Sequence, residues 1–246
     1  MKALRWPAGF AAVVAVLLVA GCSGGGSGTA GSGGASSSGV SASAGPPPDA
    51  ATLGKQMKTA TAKATGVHIL ALVTQNGSKI SVNMSMTRAG DMSGTMSANV
   101  SGTDSAKQVA FTMLVTQGHA YIKVSSGLLK SQNLPTSACS LICGKYLEVP
   151  VGQAKGMLHG MDMSSLLGKV SVSKLTYVQT VTVNGQPAWQ MRSSDGSTVY
   201  VAAQGPPYPL RLTKGPSRAD FTQWNAVTIP PPPPASQVVD ISQLGQ

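Results

Sequence analysis

The chain has 246 residues, a formal net charge of +10, and only 8 Asp and Glu against 18 Lys and Arg. Charged residues make up 11% and aromatics 4%, so convergent ionisable sets for catalysis are scarce, and the cations are scattered (Lys55, Lys79, Arg88, Lys123, Lys174, Arg211) rather than clustered as in a nucleic-acid-binding surface. Anionic headgroups or cell-wall polymers are the expected acidic neighbours, and nucleic acid is not an expected partner.

The first segment, residues 1–21, reads as a signal peptide. Lys2 and Arg5 precede an apolar core from about Gly9 to Val19, roughly half of what a bilayer-spanning helix requires. It ends in Leu18-Val19-Ala20-Gly21-Cys22, similar to the bacterial lipobox, where small residues before the cysteine allow cleavage ahead of a lipid-modified thiol. The competing reading is an ordinary secretory peptide with an incidental cysteine. The lipobox reading makes Cys22 the lipidated N-terminus of a mature protein held on the extracytoplasmic face of the cell membrane. Removing Lys2 and Arg5 leaves a mature charge of about +8.

Residues 22–48 are nearly all Gly, Ser, Ala, Thr and Pro, a composition that cannot build a core and reads as a disordered tether. At about 5–6 Å per square root of residue number it reaches roughly 25–30 Å. The remaining residues, 49–246, suffice for one domain.

Within that domain Asp49 is placed to cap a helix, and Leu53, Met57, Ala60 and Ala64 recur at helical spacing, which predicts a helix over about 50–65. Ile80, Val82, Met84 and Met86 then alternate with polar neighbours. Met92, Met96, Ala98 and Val100 do likewise, as do Val109, Phe111, Met113 and Val115. With turns at Asn76-Gly77, Ala89-Gly90-Asp91, Gly102-Thr103-Asp104 and Gln117-Gly118, these predict an antiparallel meander.

Cys139 and Cys143 are the cysteines left beside Cys22, and an oxidising exterior favours their pairing over metal ligation, for which no second ligand pair at suitable spacing is present. Residues 152–168 read as helical pieces broken at Gly160. In Met157-Leu158-His159-Gly160-Met161-Asp162-Met163, thioether and imidazole groups suit Cu(I), but the same spacing is ordinary core packing, and the expectation is no metal and no cofactor.

A second meander follows in Leu175–Val183, Ala188–Arg192, Thr198–Ala202 and Leu210–Thr213, with turns at Asn184-Gly185 and Asp195-Gly196. Pro230 to Pro234 reads as a semi-rigid spacer, with partner binding as the lesser option. So few helices cannot cover both faces of so much sheet. The expected class is therefore α+β, a single curved antiparallel sheet wrapped over a few helices. No nucleophile, base and orienter set appears, so an enzyme is not expected.

The order of lipobox, tether, helix, Thr65-Gly-Val-His-Ile, Gly118-His-Ala-Tyr-Ile-Lys-Val, Gly144-Lys-Tyr-Leu-Glu-Val-Pro, Val183-Asn-Gly-Gln-Pro-Ala, Val199-Tyr-Val-Ala, Tyr208-Pro-Leu-Arg-Leu, Asp220-Phe and Val238-Val-Asp resembles actinobacterial lipoproteins of the LppX/LprAFG type. Those share a fold with the LolA and LolB lipoprotein carriers. The resemblance implies a half-barrel sheet enclosing a cavity that carries the acyl chains of lipids or lipoglycans across the cell envelope. On this reading Leu53, Met57, Ile80, Val82, Met84, Met86, Met96, Phe111 and Met113 line the cavity. The richness in Met fits a surface that accepts varied apolar shapes, and it equally fits a filled core. The alternative function is an envelope adaptor or sensor that carries no lipid and binds a protein partner, an envelope membrane protein being one candidate.

Overall fold

The computed structural model describes residues 45–75, 78–100, 107–126, 142–149 and 174–240, together with Met163 and Leu167. One long helix, α1 (Ala50–Lys63), opens the described domain. The Asp49 carboxylate accepts hydrogen bonds from the backbone N–H of Ala51 (3.1 Å) and Thr52 (3.0 Å), satisfying donors that a helix start leaves open. The helix stops at Ala64, whose backbone turns extended. There the Arg88 guanidinium donates to the carbonyls of Ala64 (2.7 Å) and Thr61, placing a cation at the negative end of the helix.

The strands are β1 (Gly66–Gln75), β2 (Ser78–Thr87), β3 (Met92–Val100), β4 (Lys107–Thr116), β5 (His119–Val124), β6 (Tyr146–Val149), β7 (Thr176–Val183), β8 (Gln186–Arg192), β9 (Thr198–Ala202), β10 (Pro209–Lys214), β11 (Ser217–Thr222) and β12 (Val238–Asp240). They form one 12-stranded sheet in the order β12-β6-β5-β4-β3-β2-β1-β11-β10-β9-β8-β7. The sheet is curved, does not close, and is antiparallel except where β12 lies parallel to β6. Two meanders, β1 to β6 and β7 to β11, are joined side by side by the β1–β11 pairing, in which Ile69 faces Phe221 and Ala71 faces Ala219.

Local chemistry sets the hairpins. Asn184 and Gly185 both take positive φ (51° and 77°), the geometry of the tightest two-residue turns, and Gln117-Gly118 repeats it (52° and 78°). Gly94 answers a different need. A Cβ there would stand 2.1 Å from the Asn83 carbonyl oxygen, so β3 can approach β2 this closely only with glycine.

The expected helix and both meanders are present. Strands β1, β5, β6, β11 and β12 go beyond the sequence periodicity. In β1 the apolar residues do not alternate: Val67, Ile69 and Val73 are buried while Leu70 and Leu72, on the opposite face, are exposed. A run apolar on both faces has no period to read. The helical pieces expected over 152–168 lie mostly outside the described residues. Met163 and Leu167, within that stretch, are helical and buried. After β11 the chain is pinned by the Asn225 N–H on the Gly66 carbonyl (2.9 Å), continues through Pro230 to Pro234, and reaches β12 at the opposite edge of the sheet.

Candidate functional site

Alternation places Ile80, Val82, Met84 and Met86 on one face of β2, and the pairing register extends that face across the sheet. One row runs Leu147, Ile122, Met113, Gly94, Met84, Ile69, Phe221 from β6 to β11. The next runs Phe111, Met96, Val82, Ala71, Ala219, Leu212, Val199, Met191 from β4 to β8. Helix α1 lays Leu53 and Met57 on this inner face, and its other residues stay partly or fully exposed. All the predicted lining residues, Leu53, Met57, Ile80, Val82, Met84, Met86, Met96, Phe111 and Met113, therefore belong to one contiguous apolar cluster. Phe111 is half-buried against it and the others are buried, with Leu53 at 0% and Met84 at 1% exposure.

Sequence reasoning missed the part of this face contributed by the second meander. Met191, Val199, Val201, Leu212 and Phe221 join the same cluster, with Trp189, Tyr208 and Trp224 packed against it. Tyr208 and Trp224 stack with ring centres 4.4 Å apart, and Phe221 lies 6.4 Å from Trp224. The Trp224 indole N–H donates to the Pro209 carbonyl (3.2 Å) and the Trp189 indole N–H to the Gly45 carbonyl (2.9 Å), so both large rings have their polar atom satisfied. The sequence signal for it is Val199-Tyr200-Val201, whose alternation puts both valines on one face.

The opposite face carries the charges. Asp220 receives Arg211 Nε at 2.6 Å on one oxygen and Arg218 Nε on the other. Burial alone would raise its pKa. The bonds and charges of Arg218 and Arg211 outweigh that and hold the carboxyl below its ordinary range. In the turn between β8 and β9, the Asp195 pKa is likewise lowered: burial raises it, and the Ser197 N–H and the Lys214 ammonium, 3.0 Å away, outweigh that. His119 opens β5, exposed, with Nδ1 2.7 Å from Glu148. Among the described residues no group of three or more His, Cys, Asp or Glu side chains converges as a metal site would require. Met157, His159, Met161, Cys22 and Cys139 lie outside the described residues, while Cys143 sits in the turn entering β6.

Two joined meanders with an apolar inner face and a helix laid on the concave side define a half-barrel fold class. The structure is similar to that of LprF from Mycobacterium bovis, with a TM-score of 0.50 at 19% identity over 76% of this chain and 98% of that one. The fold is thus of the LppX/LprAFG type, and at this identity the likeness speaks for the fold alone. MucB in complex with MucA(peri), and MucB by itself, align over 77% and 74% of this chain and 61% and 60% of theirs, at 17% and 15% identity and a TM-score of 0.32, too distant to carry argument. No protein-family model and no curated protein matches the sequence.

Proposed function

We propose that this chain is a membrane-anchored envelope lipoprotein that holds the acyl chains of a lipid or lipoglycan against the inner face of its sheet, for transport across the cell envelope. Residues 1–21 are its signal peptide, Cys22 carries the anchoring lipid, 22–48 are the tether, and 49–246 the binding domain. A bridge between Cys139 and Cys143 pins the loop before β6. The protein is not an enzyme and needs no cofactor.

The observation that carries this reading is the continuity of the Met-rich inner face, on which α1 buries only Leu53 and Met57 and the helical Met163 and Leu167 also pack. Lifting two such side chains costs roughly 3–6 kcal/mol, at about 1.5–3 each. An acyl chain of about sixteen carbons gains on the order of 12 kcal/mol at about 0.8 per methylene. Measured from water, burying the chain outweighs lifting the two side chains, so the inner face can shelter a lipid in transit between membranes. Unbranched thioethers at Met84, Met86, Met96 and Met113 can re-form around it through rotamer changes.

The second reading, an adaptor that binds protein and carries no lipid, is favoured by the complete burial of Leu53 and near-complete burial of Met84, which describe a filled interior. Replacing Met84 or Met113 with Trp separates the two. The carrier should lose lipid recovered by extraction and mass spectrometry while its melting temperature barely changes. A solid core should instead lose about 1–3 kcal/mol of stability through overpacking, with no lipid to lose.

A further inference from the structure

The outer face of β1 departs from the polar surface expected on the back of such a sheet. Leu70 and Leu72 are 44% and 42% exposed there, although strand positions of this kind are ordinarily polar. They lie in a groove of about 300 Å³ whose walls also include Ser81, Asn83, Thr95, Ser97, Arg218 and Asp220. The register explains the assembly. One outward row runs Ser97, Ser81, Leu72, Arg218 and the next runs Thr95, Asn83, Leu70, Asp220, Arg211, so the trough crosses the strands with hydroxyls and an amide at one end, leucines in the middle and guanidinium groups at the other.

Three properties of this groove define its occupant. The side chains of Ser81, Asn83, Thr95 and Ser97 make no hydrogen bond among the described residues, and the terminal nitrogens of Arg218, half exposed at 51%, donate to none of them either. Two guanidinium groups share the single Asp220 carboxylate, so the arginine end keeps a net positive charge. The span from β3 to β11 is roughly 14 Å at about 4.8 Å per strand, the length of four or five extended residues. A bilayer presents a flat surface to protruding apolar side chains and cannot follow a trough. An extended peptide fits, since its backbone amides can pair with the polar end, its apolar side chains with the leucines and its carboxylates with Arg218.

We propose that this outer groove is a docking site for an extended, acidic-ended segment of a partner polypeptide. It lies on the face opposite the proposed lipid surface and does not depend on that reading. The positive charge of the chain, about +8 without Lys2 and Arg5 of the signal segment, favours the encounter with such a segment.

The test uses the full chain purified in detergent and two fluorescein-labelled octapeptides, one with an apolar centre followed by two glutamates, its twin with lysines in their place, read by anisotropy. The acidic peptide should bind at least about tenfold more tightly than its twin, and Arg218→Gln should erase that preference. The double change Leu70→Ser with Leu72→Ser should weaken binding by about tenfold while the circular dichroism melt is unchanged, since both side chains are already exposed. Equal binding of the two peptides, or affinity indifferent to both variants, would overturn the proposal. So would the full chain associating through these same residues with vesicles of phosphatidylcholine and phosphatidylglycerol while leaving the acidic peptide unbound.

Discussion

The two meanders share one sheet and one inner face, yet they fill it with different chemistry. From β2 to β4 the face carries five methionines, Met84, Met86, Met92, Met96 and Met113, among Ile80, Val82 and Phe111, with Gly94 supplying no side chain between Met84 and Met113. From β8 to β11 it has one methionine, Met191, among Val199, Val201, Leu212 and Phe221, backed by the stacked Tyr208 and Trp224 and by indole N–H groups bonded to fixed carbonyls. β-branched and aromatic side chains have few rotamers and lose packing sharply when displaced, whereas methionine has several rotamers of similar energy. On the proposed reading, the methionine-rich half is the one able to change its shape and the other holds it. Binding, on this account, belongs to the β2–β4 half, and the β8–β11 half is the frame.

Breaking the frame should have the largest effect. Phe221→Ala removes a ring that faces Ile69 across the seam and lies beside Trp224, and should cost about 3–5 kcal/mol, read as a lowered midpoint in urea denaturation. A cost as small as a surface substitution would mean the two halves do not differ in rigidity as described.

A smaller effect sharpens the comparison at the same seam, on its outer side. Asp220 has a pKa below its unfolded value, so its stabilising contribution is present above about pH 4 and is lost as pH falls through the lower folded value. Asp220→Asn should therefore cost about 1–3 kcal/mol at neutral pH, and the gap from the unmodified protein should narrow steadily below pH 4. Thermal melts of both proteins across that range provide the check. A gap independent of pH would place the role of Asp220 in packing rather than in its charge.

The sequence made the first meander legible because its strands alternate cleanly: polar Ser81, Asn83 and Ser85 interleave the inward residues, and the period of two assigns both strand and face. That period put the strand residues Ile80, Val82, Met84, Met86, Met96, Phe111 and Met113 on one face, while helical spacing picked out Leu53 and Met57, and the Asp49 cap and the Asn184-Gly185 turn were legible from local chemistry. Three features stayed hidden for physical reasons. Strand β1 is apolar on both faces over Ile69 to Val73, so its outward leucines and the groove they line leave no periodic trace. The Arg88 cap on α1 joins residues over twenty positions apart, a contact only the tertiary fold creates. The pairing of β1 with β11 joins chain segments about 150 residues apart, and nothing local to either strand specifies it.

The central claim, that the Met-rich inner face holds acyl chains, is tested most directly by native mass spectrometry of the full chain released from its own membrane in mild detergent. The account predicts a mass that exceeds the chain with its Cys22 modification by that of a noncovalently held acyl lipid, released on collisional activation and lost from Met84→Trp. A spectrum showing the anchored chain alone, with no dissociable lipid at any activation energy, would contradict it.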